Sequence, residues 1–172
     1  RRVVRWCRLT SWTDRHGTHW LQTPYYDTEW RLTGMQSRNL DYGKAGSASD
    51  VPRFRFPYGS RCSVYNLPVT ALLREGEPLY ITEGCSDCWA MLSAGHKAVA
   101  IPSATLLSEA DKRLLRGLAE RLGTTFHMFP DRDAPGERLF MQLREVLPGL
   151  CHHQLAEGAK DFGEMFAAGR IA

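Results

Sequence analysis

The sequence lacks any stretch near the roughly 18–20 uninterrupted apolar residues that a membrane-spanning helix requires, and no apolar signal-peptide core follows its opening arginines. Membrane insertion and secretion are therefore not expected, and the cytoplasm is the expected compartment. Cysteine is sparse and odd in number, five residues (Cys7, Cys62, Cys85, Cys88, Cys151) scattered over 172. That is no disulfide framework, so reduced thiols are expected. No G-x-x-x-x-G-K-[ST] occurs, which excludes a P-loop motor from this chain. Ser103 and Ser108 have no partnered histidine in a nucleophile-elbow setting, which argues against serine hydrolysis. Internal repeats and low-complexity tracts are also missing. The initial methionine is missing as well, the chain opening on Arg1-Arg2, as expected of a piece of something longer.

What is present is ordinary globular usage, 43% hydrophobic and 24% charged, enough for a real core. The net charge of +3 hides an asymmetry. Residues 1–70 hold 11 Lys/Arg against 5 Asp/Glu, giving +6, and residues 71–172 hold 11 against 14, giving −3. Basic residues interleaved with aromatics, as in Arg53-Phe-Arg-Phe and around Trp30-Arg31, suit a phosphate backbone and stacked bases; a solvated basic surface would read the same way. For Trp6, Trp12, Trp20 and Trp30, core packing is the expectation over base stacking.

Two regions follow. Residues 1–70 form a small β-rich region. Trp20–Tyr26 and Trp30–Gln36 read as a hairpin about an Asp27-Thr-Glu turn, Asp41–Asp50 as a flexible Gly/Ser-rich loop, and Arg53–Pro57 and Ser63–Leu67 as short strands. A short helix is expected from there to Glu77. Residues 71–172 alternate apolar strands with amphipathic helices, the pattern of a parallel sheet. Strands are expected at Pro78–Thr82, Ala98–Ile101 and Thr124–Phe129, with an edge strand at Cys151–Leu155. Helices are expected at Asp87–Ala94, from a Ser108 cap to Gly123, at Glu137–Leu147 and at Asp161–Ala168.

Two of these strands run straight into carboxylates, Ile81-Thr-Glu83-Gly84 with Asp87 beyond, and Met128-Phe-Pro-Asp131-Arg-Asp133 with Gly136 beyond. The carboxyl ends of parallel strands share one edge, where open α/β proteins bind their ligands. Four carboxylates at such an edge repel unless cations hold them. Hard oxygen ligands suit Mg²⁺ or Mn²⁺, and a metal pair can activate a hydroxyl and stabilise leaving phosphate oxygens. A lone Asp-x-Asp also serves turn chemistry, so the ordered pair carries the inference. Cys85-Ser-Asp-Cys88 has zinc spacing, but a structural site needs four ligands and no second C-x-x-C exists, so no zinc is expected.

Glu83-Gly84-Cys-Ser-Asp87 resembles the E-G-x-x-D motif, and Asp131-Arg-Asp133-Ala-Pro-Gly136 the D-x-D-x-x-G motif, of Toprim domains. Within that group the likeness is to the RNA-polymerase core of bacterial and phage-type DNA primases, over residues 18–168. Pro52-Arg-Phe-Arg-Phe-Pro and Val64-Tyr-Asn-Leu resemble the K-Y-x-x-S-P and L-Y-G-L stretches, and Lys160-Asp161 the late K-D-P-D-E segment. The resemblance implies a Toprim α/β domain, a parallel-type sheet flanked by helices, behind a small basic β-rich subdomain. It implies short RNA primers made on single-stranded DNA from ribonucleoside triphosphates, with Mg²⁺ or Mn²⁺ as cofactor and a replicative helicase as partner. Glu83 would be the acid/base or metal-ordering group and Asp131 and Asp133 the main metal ligands, with Asp87 and Asp161 completing the cluster. Arg38, Arg53, Arg61 and Lys160 would hold nucleic-acid or nucleotide phosphate. The sequence departs from the pattern at Asp161-Phe-Gly-Glu164, which replaces a doubled acidic segment, and at Ser60, where the family has lysine. A Toprim nuclease or topoisomerase-like activity, or a non-catalytic nucleic-acid-binding remnant of a mobile element, are the alternatives.

Overall fold

The computed structural model describes residues 1–44, 50–102 and 107–170, so half of the Gly/Ser-rich loop and Ser103 lie outside the described residues. Two compact units divide the chain, Arg1–Cys62 and Ser63–Ala172.

The first unit opens with a short helix, α1 (Arg2–Trp6), followed by β1 (Thr10–Thr13), β2 (His19–Tyr26), β3 (Leu32–Asn39) and β4 (Phe54–Arg55). These strands form an antiparallel sheet in sequence order. Sequence periodicity does not announce α1 or β1, because both are short and β1 is exposed at every position. The expected hairpin is present, with Trp20 opposite Asn39 and Tyr25 opposite Gly34. Asp27 builds its turn, accepting from the backbone N–H groups of Glu29 and Arg31 at 2.9 and 3.0 Å and from Arg31 Nε at 2.7 Å. Trp20 and Tyr25 are fully buried, whereas Trp12 is 44% exposed, against the expectation of core packing.

The second unit is a parallel sheet of β5 (Leu79–Glu83), β6 (Lys97–Ile101), β7 (Phe126–Met128) and β8 (Cys151–His152), interleaved with α2 (Cys85–Ser93), α3 (Glu109–Leu122), α4 (Ala134–Val146) and α5 (Phe162–Ala167). The strand order is β6-β5-β7-β8. The chain leaves β5 toward β6, then crosses back to β7, so the order reverses beside β5. The right-handed rule for parallel crossovers assigns α2 to one face and α3 and α4 to the other, in keeping with the packing of α2 with α5 and of α3 with α4. Leu79, Ile81, Val99, Met128, Leu115, Leu139 and Leu143 fill the core. A capping box at Ser108 and Asp111 starts α3, and left-handed Gly123 ends it.

Ser63–Leu67 is a single bridge rather than a strand, and it serves the second unit. Tyr65 bridges Ala100 antiparallel, Asn66 Nδ2 donates to Ala98 O at 2.7 Å, and a 3₁₀ helix, Leu67–Leu72, follows. This segment covers the free edge of β6, which explains why an edge strand is buried along most of its length. It also sets the unit boundary after Cys62, ahead of the boundary at residue 70 read from composition.

Candidate functional site

The reversal beside β5 is the topological switch point where open α/β sheets bind ligands. Glu83 ends β5 at that edge, and Gly84, at φ 82°, turns the chain into α2. Asp87 lies in the first turn of α2, 6% exposed. Asp131 and Asp133 follow β7, and Asp133 is the N-cap of α4, accepting from Gly136 N at 2.9 Å. Gly136 is required by close approach: a Cβ there would press on the Asp131 carbonyl and sit 2.8 Å from its backbone nitrogen. Asp161 is the N-cap of α5, accepting from Glu164 N at 2.7 Å.

Electrostatic coupling joins these groups. Burial, then the Asp87, Glu83, Asp161 and Asp133 carboxylates, push Asp131 up to about 7. Burial and Asp161 push Asp87 up to about 7, with Glu83 and Glu164 adding and the Gly163 N–H opposing. Glu83 is raised by burial and then by Asp133, with Lys160 opposing. Its Oε2 is buried with no hydrogen-bond partner, a position that costs free energy unless a cation or proton fills it. Lys160 Nζ stands 3.7 Å from Asp133 Oδ2.

These carboxylates repel at a distance without closing on a point: among the described residues no three His, Cys, Asp or Glu side chains form a group ready to hold a metal ion. Backbone N–H groups explain the spacing. Asp87, Asp133 and Asp161 each direct one oxygen at a helix-terminal or loop N–H, which fixes the side chain and leaves the second oxygen. The all-oxygen donor set and the orphaned Glu83 oxygen fit a hard divalent cation.

Sequence reasoning missed two supporting residues. Gly163 N donates to Asp87 Oδ1 at 2.8 Å, and a Cβ on Gly163 would lie 2.7 Å from that oxygen. Arg132, the middle residue of Asp131-Arg-Asp133, donates from its guanidinium to Leu155 O at 2.9 Å and Ala156 O at 3.2 Å, while its backbone N–H donates to Lys160 O at 2.7 Å. It clamps the loop bearing Lys160 and Asp161. The Gly in Asp161-Phe-Gly-Glu was the one available signal.

Arg38, Arg53 and Arg61 lie in the first unit. Arg38 is half-buried on β3, and Arg53 and Arg61 are exposed; none of the three makes an ion pair among the described residues. Among the described residues none of the five cysteines is in a disulfide, and Cys85 and Cys88 are buried within α2. No helix among the described residues is long and apolar enough to cross a membrane.

The class these features define is a two-unit α/β protein, an antiparallel sheet followed by a parallel sheet with an acidic switch-point edge. Among solved structures that fold is the one of DNA primase catalytic cores. The primase fragment of the bacteriophage T7 primase-helicase protein matches with TM-score 0.70 and 15% identity, over 98% of this chain and 66% of its own. A DNA primase domain from Pseudomonas aeruginosa matches at TM-score 0.64 and 21% identity, over 96% of this chain and 54% of that one. The E. coli primase catalytic core matches at 0.62 and 20%, over 97% and 55%. The chain thus spans about half to two thirds of these three solved chains. No family model and no curated protein matches the sequence.

Proposed function

We propose that this chain is the catalytic core of a DNA primase, a Toprim nucleotidyltransferase that joins ribonucleoside triphosphates on a single-stranded DNA template. The observation that carries the reading is the coincidence of a primase-core fold along nearly the whole chain with mutually repelling carboxylates on both strands flanking the switch point.

Asp131 and Asp133, with Asp161, would hold Mg²⁺ or Mn²⁺, and Glu83 would order a cation or accept a proton from the attacking hydroxyl. Divalent cations held there would supply Lewis-acid stabilisation for attack of a 3′-hydroxyl on an α-phosphate and for the departing pyrophosphate. Asp87, fixed by the Gly163 N–H, adds negative charge beside Asp131 and strengthens the demand for cations. Lys160 would meet a nucleotide phosphate. Arg38, Arg53 and Arg61 would neutralise template phosphates. A replicative helicase is the expected partner, and the cytoplasm the expected compartment.

The test is Mg²⁺- or Mn²⁺-dependent incorporation of labelled ribonucleotides on single-stranded DNA, beside Asp131→Asn and with supercoiled plasmid as a parallel substrate. Short RNA products that vanish in the variant support the primase. Metal-dependent nicking without RNA would overturn it in favour of a Toprim nuclease. Single-strand binding without either activity would assign a non-catalytic remnant.

A further inference from the structure

The segment from Arg53 to Arg61 reads in sequence as alternating cations and rings, and the fold sorts them. Arg55 is exposed but pinned against buried groups: its guanidinium lies 4.4 Å from the centroid of the buried Trp20 ring and 3.8 Å from Asp14 Oδ2, which also accepts from Trp20 Nε1 at 3.0 Å. Arg55 is therefore a structural cation. The rings have no such buried partners and stand open, Phe54 36%, Phe56 52% and Tyr58 107% exposed.

Large rings left this open usually sit on floppy chain, yet both ends of this segment are fixed. Asn39 N donates to Arg53 O at 2.9 Å and Arg61 N to Thr33 O at 2.9 Å. Met35 N donates to Ser60 Oγ at 3.2 Å. The Arg61 backbone lies so close over β3 that a Cβ on Gly34 would be 2.9 Å from its carbonyl carbon. Between the anchors, Ser60 N donates to Pro57 O at 3.0 Å, closing a turn with Gly59 at φ 78°. That turn presents Tyr58 at its tip.

Cations flank the rings. Arg38 is the register partner of Phe54, Arg53 Cζ lies 5.3 Å from the Phe54 centroid, and Arg61 follows the turn. Rings fixed by their backbone, with unpaired guanidinium groups on either side, are the components of a sequence-tolerant single-strand platform. Charge complementarity selects the occupant, since the unit bearing the segment has 11 Lys/Arg against 5 Asp/Glu. A fixed, solvated ring has nothing to gain from a phosphate alone, whereas an unstacked base supplies its missing face.

We infer that Phe54, Phe56 and Tyr58 form a stacking platform for the bases of single-stranded nucleic acid, with Arg38, Arg53 and Arg61 holding the adjoining phosphates. This deepens the reading proposed above, resting on it for the single-stranded template. Stacking and phosphate neutralisation respond differently to salt, which makes the assignment testable. Affinity for a fluorescein-labelled oligo(dT) is measured across a salt series for the wild-type chain, Phe56→Ala/Tyr58→Ala, Phe56→Trp/Tyr58→Trp and Arg53→Ala/Arg61→Ala, with melting temperatures recorded for each and duplex DNA as control. Loss of two stacked bases weakens binding by about 30-fold or more. The alanine pair is expected to lose that much for oligo(dT), with unchanged salt slope, melting temperature and duplex affinity, and the tryptophan pair to bind at least as tightly as wild type. The arginine pair is expected to flatten the slope. Wild-type oligo(dT) affinity in the alanine pair, or equal losses for single strand and duplex, overturns the platform. RNA synthesis by the wild-type chain is scored separately, so failure of the primase reading and failure of the platform give different results.

Discussion

Asp87 and Asp131 are both lifted to about 7 by burial and by neighbouring carboxylates, against an ordinary aspartate value of about 3.9. The folded state therefore binds protons more tightly than the unfolded chain. The stability these protons confer is fully present below about pH 4 and is lost as pH rises through 7. Metal-free protein should show a contribution to melting temperature that falls across that window, and Asp131→Asn, which removes one repelling charge, should flatten the fall and melt higher at pH 8. Each kcal/mol relieved corresponds to about 2–4 °C for a chain of this size. Differential scanning fluorimetry in chelator checks this; a variant that melts lower than wild type at pH 8 would refute the repulsion. Gly136 makes a second residue-scale case. Gly136→Ala drives a methyl against the Asp131 backbone and should destabilise by roughly 1–3 kcal/mol, while Gly149→Ala, where a Cβ meets nothing within 4 Å, should not. Glu83, Asp131 and Asp133 could be placed at one sheet edge from sequence because each stands at or just beyond a strand end. The partners of Gly163 and Arg132 could not be, since the Gly163–Asp87 bond spans 76 residues and the Arg132–Leu155 bond 23, and the glycine of Asp161-Phe-Gly-Glu does not name what it approaches.

At the scale of the element, one side chain does two jobs. Asp133 caps α4 through Oδ1 and faces Lys160 through Oδ2. Asparagine caps a helix about as well as aspartate, whereas alanine forfeits the cap at about 1 kcal/mol. Asp133→Asn should therefore keep the melting temperature and lose divalent-cation affinity, and Asp133→Ala should lose both. Calorimetric Mn²⁺ titration beside thermal melts separates the two jobs; equal Mn²⁺ affinity in Asp133→Asn and wild type would remove Asp133 from the cation site. The same logic shows why α3 was legible in advance: Ser108, Asp111, the leucine stripe and Gly123 are all local signals, and all act locally. The helix expected from Glu137 begins instead at Ala134, with Pro135 in its first turn, where a missing N–H is harmless. Ser63–Leu67 was misread for the opposite reason. Its apolar run is consistent with a strand, but what it pairs with is the edge of β6, and sequence alone does not name a partner more than thirty residues away.

For the whole molecule, charge is divided between two folding units, +6 over the first and −3 over the second. Single strands lose about 0.7 from the slope of log affinity against log salt for each phosphate contact removed. If the first unit supplies the template contacts and the second the chemistry, the two can be abolished independently. Asp131→Asn/Asp133→Asn should leave oligo(dT) affinity and its salt slope within about twofold of wild type while incorporation of ribonucleotides disappears. Arg38→Ala/Arg53→Ala/Arg61→Ala should lower the slope by about 2, at 0.7 per contact, and depress synthesis through template affinity, so that raising the template concentration or lowering the salt recovers part of it. On the proposed reading no template concentration should recover the aspartate pair, because cations held there would act on the reacting phosphate and not on the strand. The informative failure is an aspartate pair that loses single-strand binding together with synthesis. The acidic edge would then contribute to template affinity itself, through cations bridging carboxylate and phosphate, and the division of labour suggested by the charge would not hold.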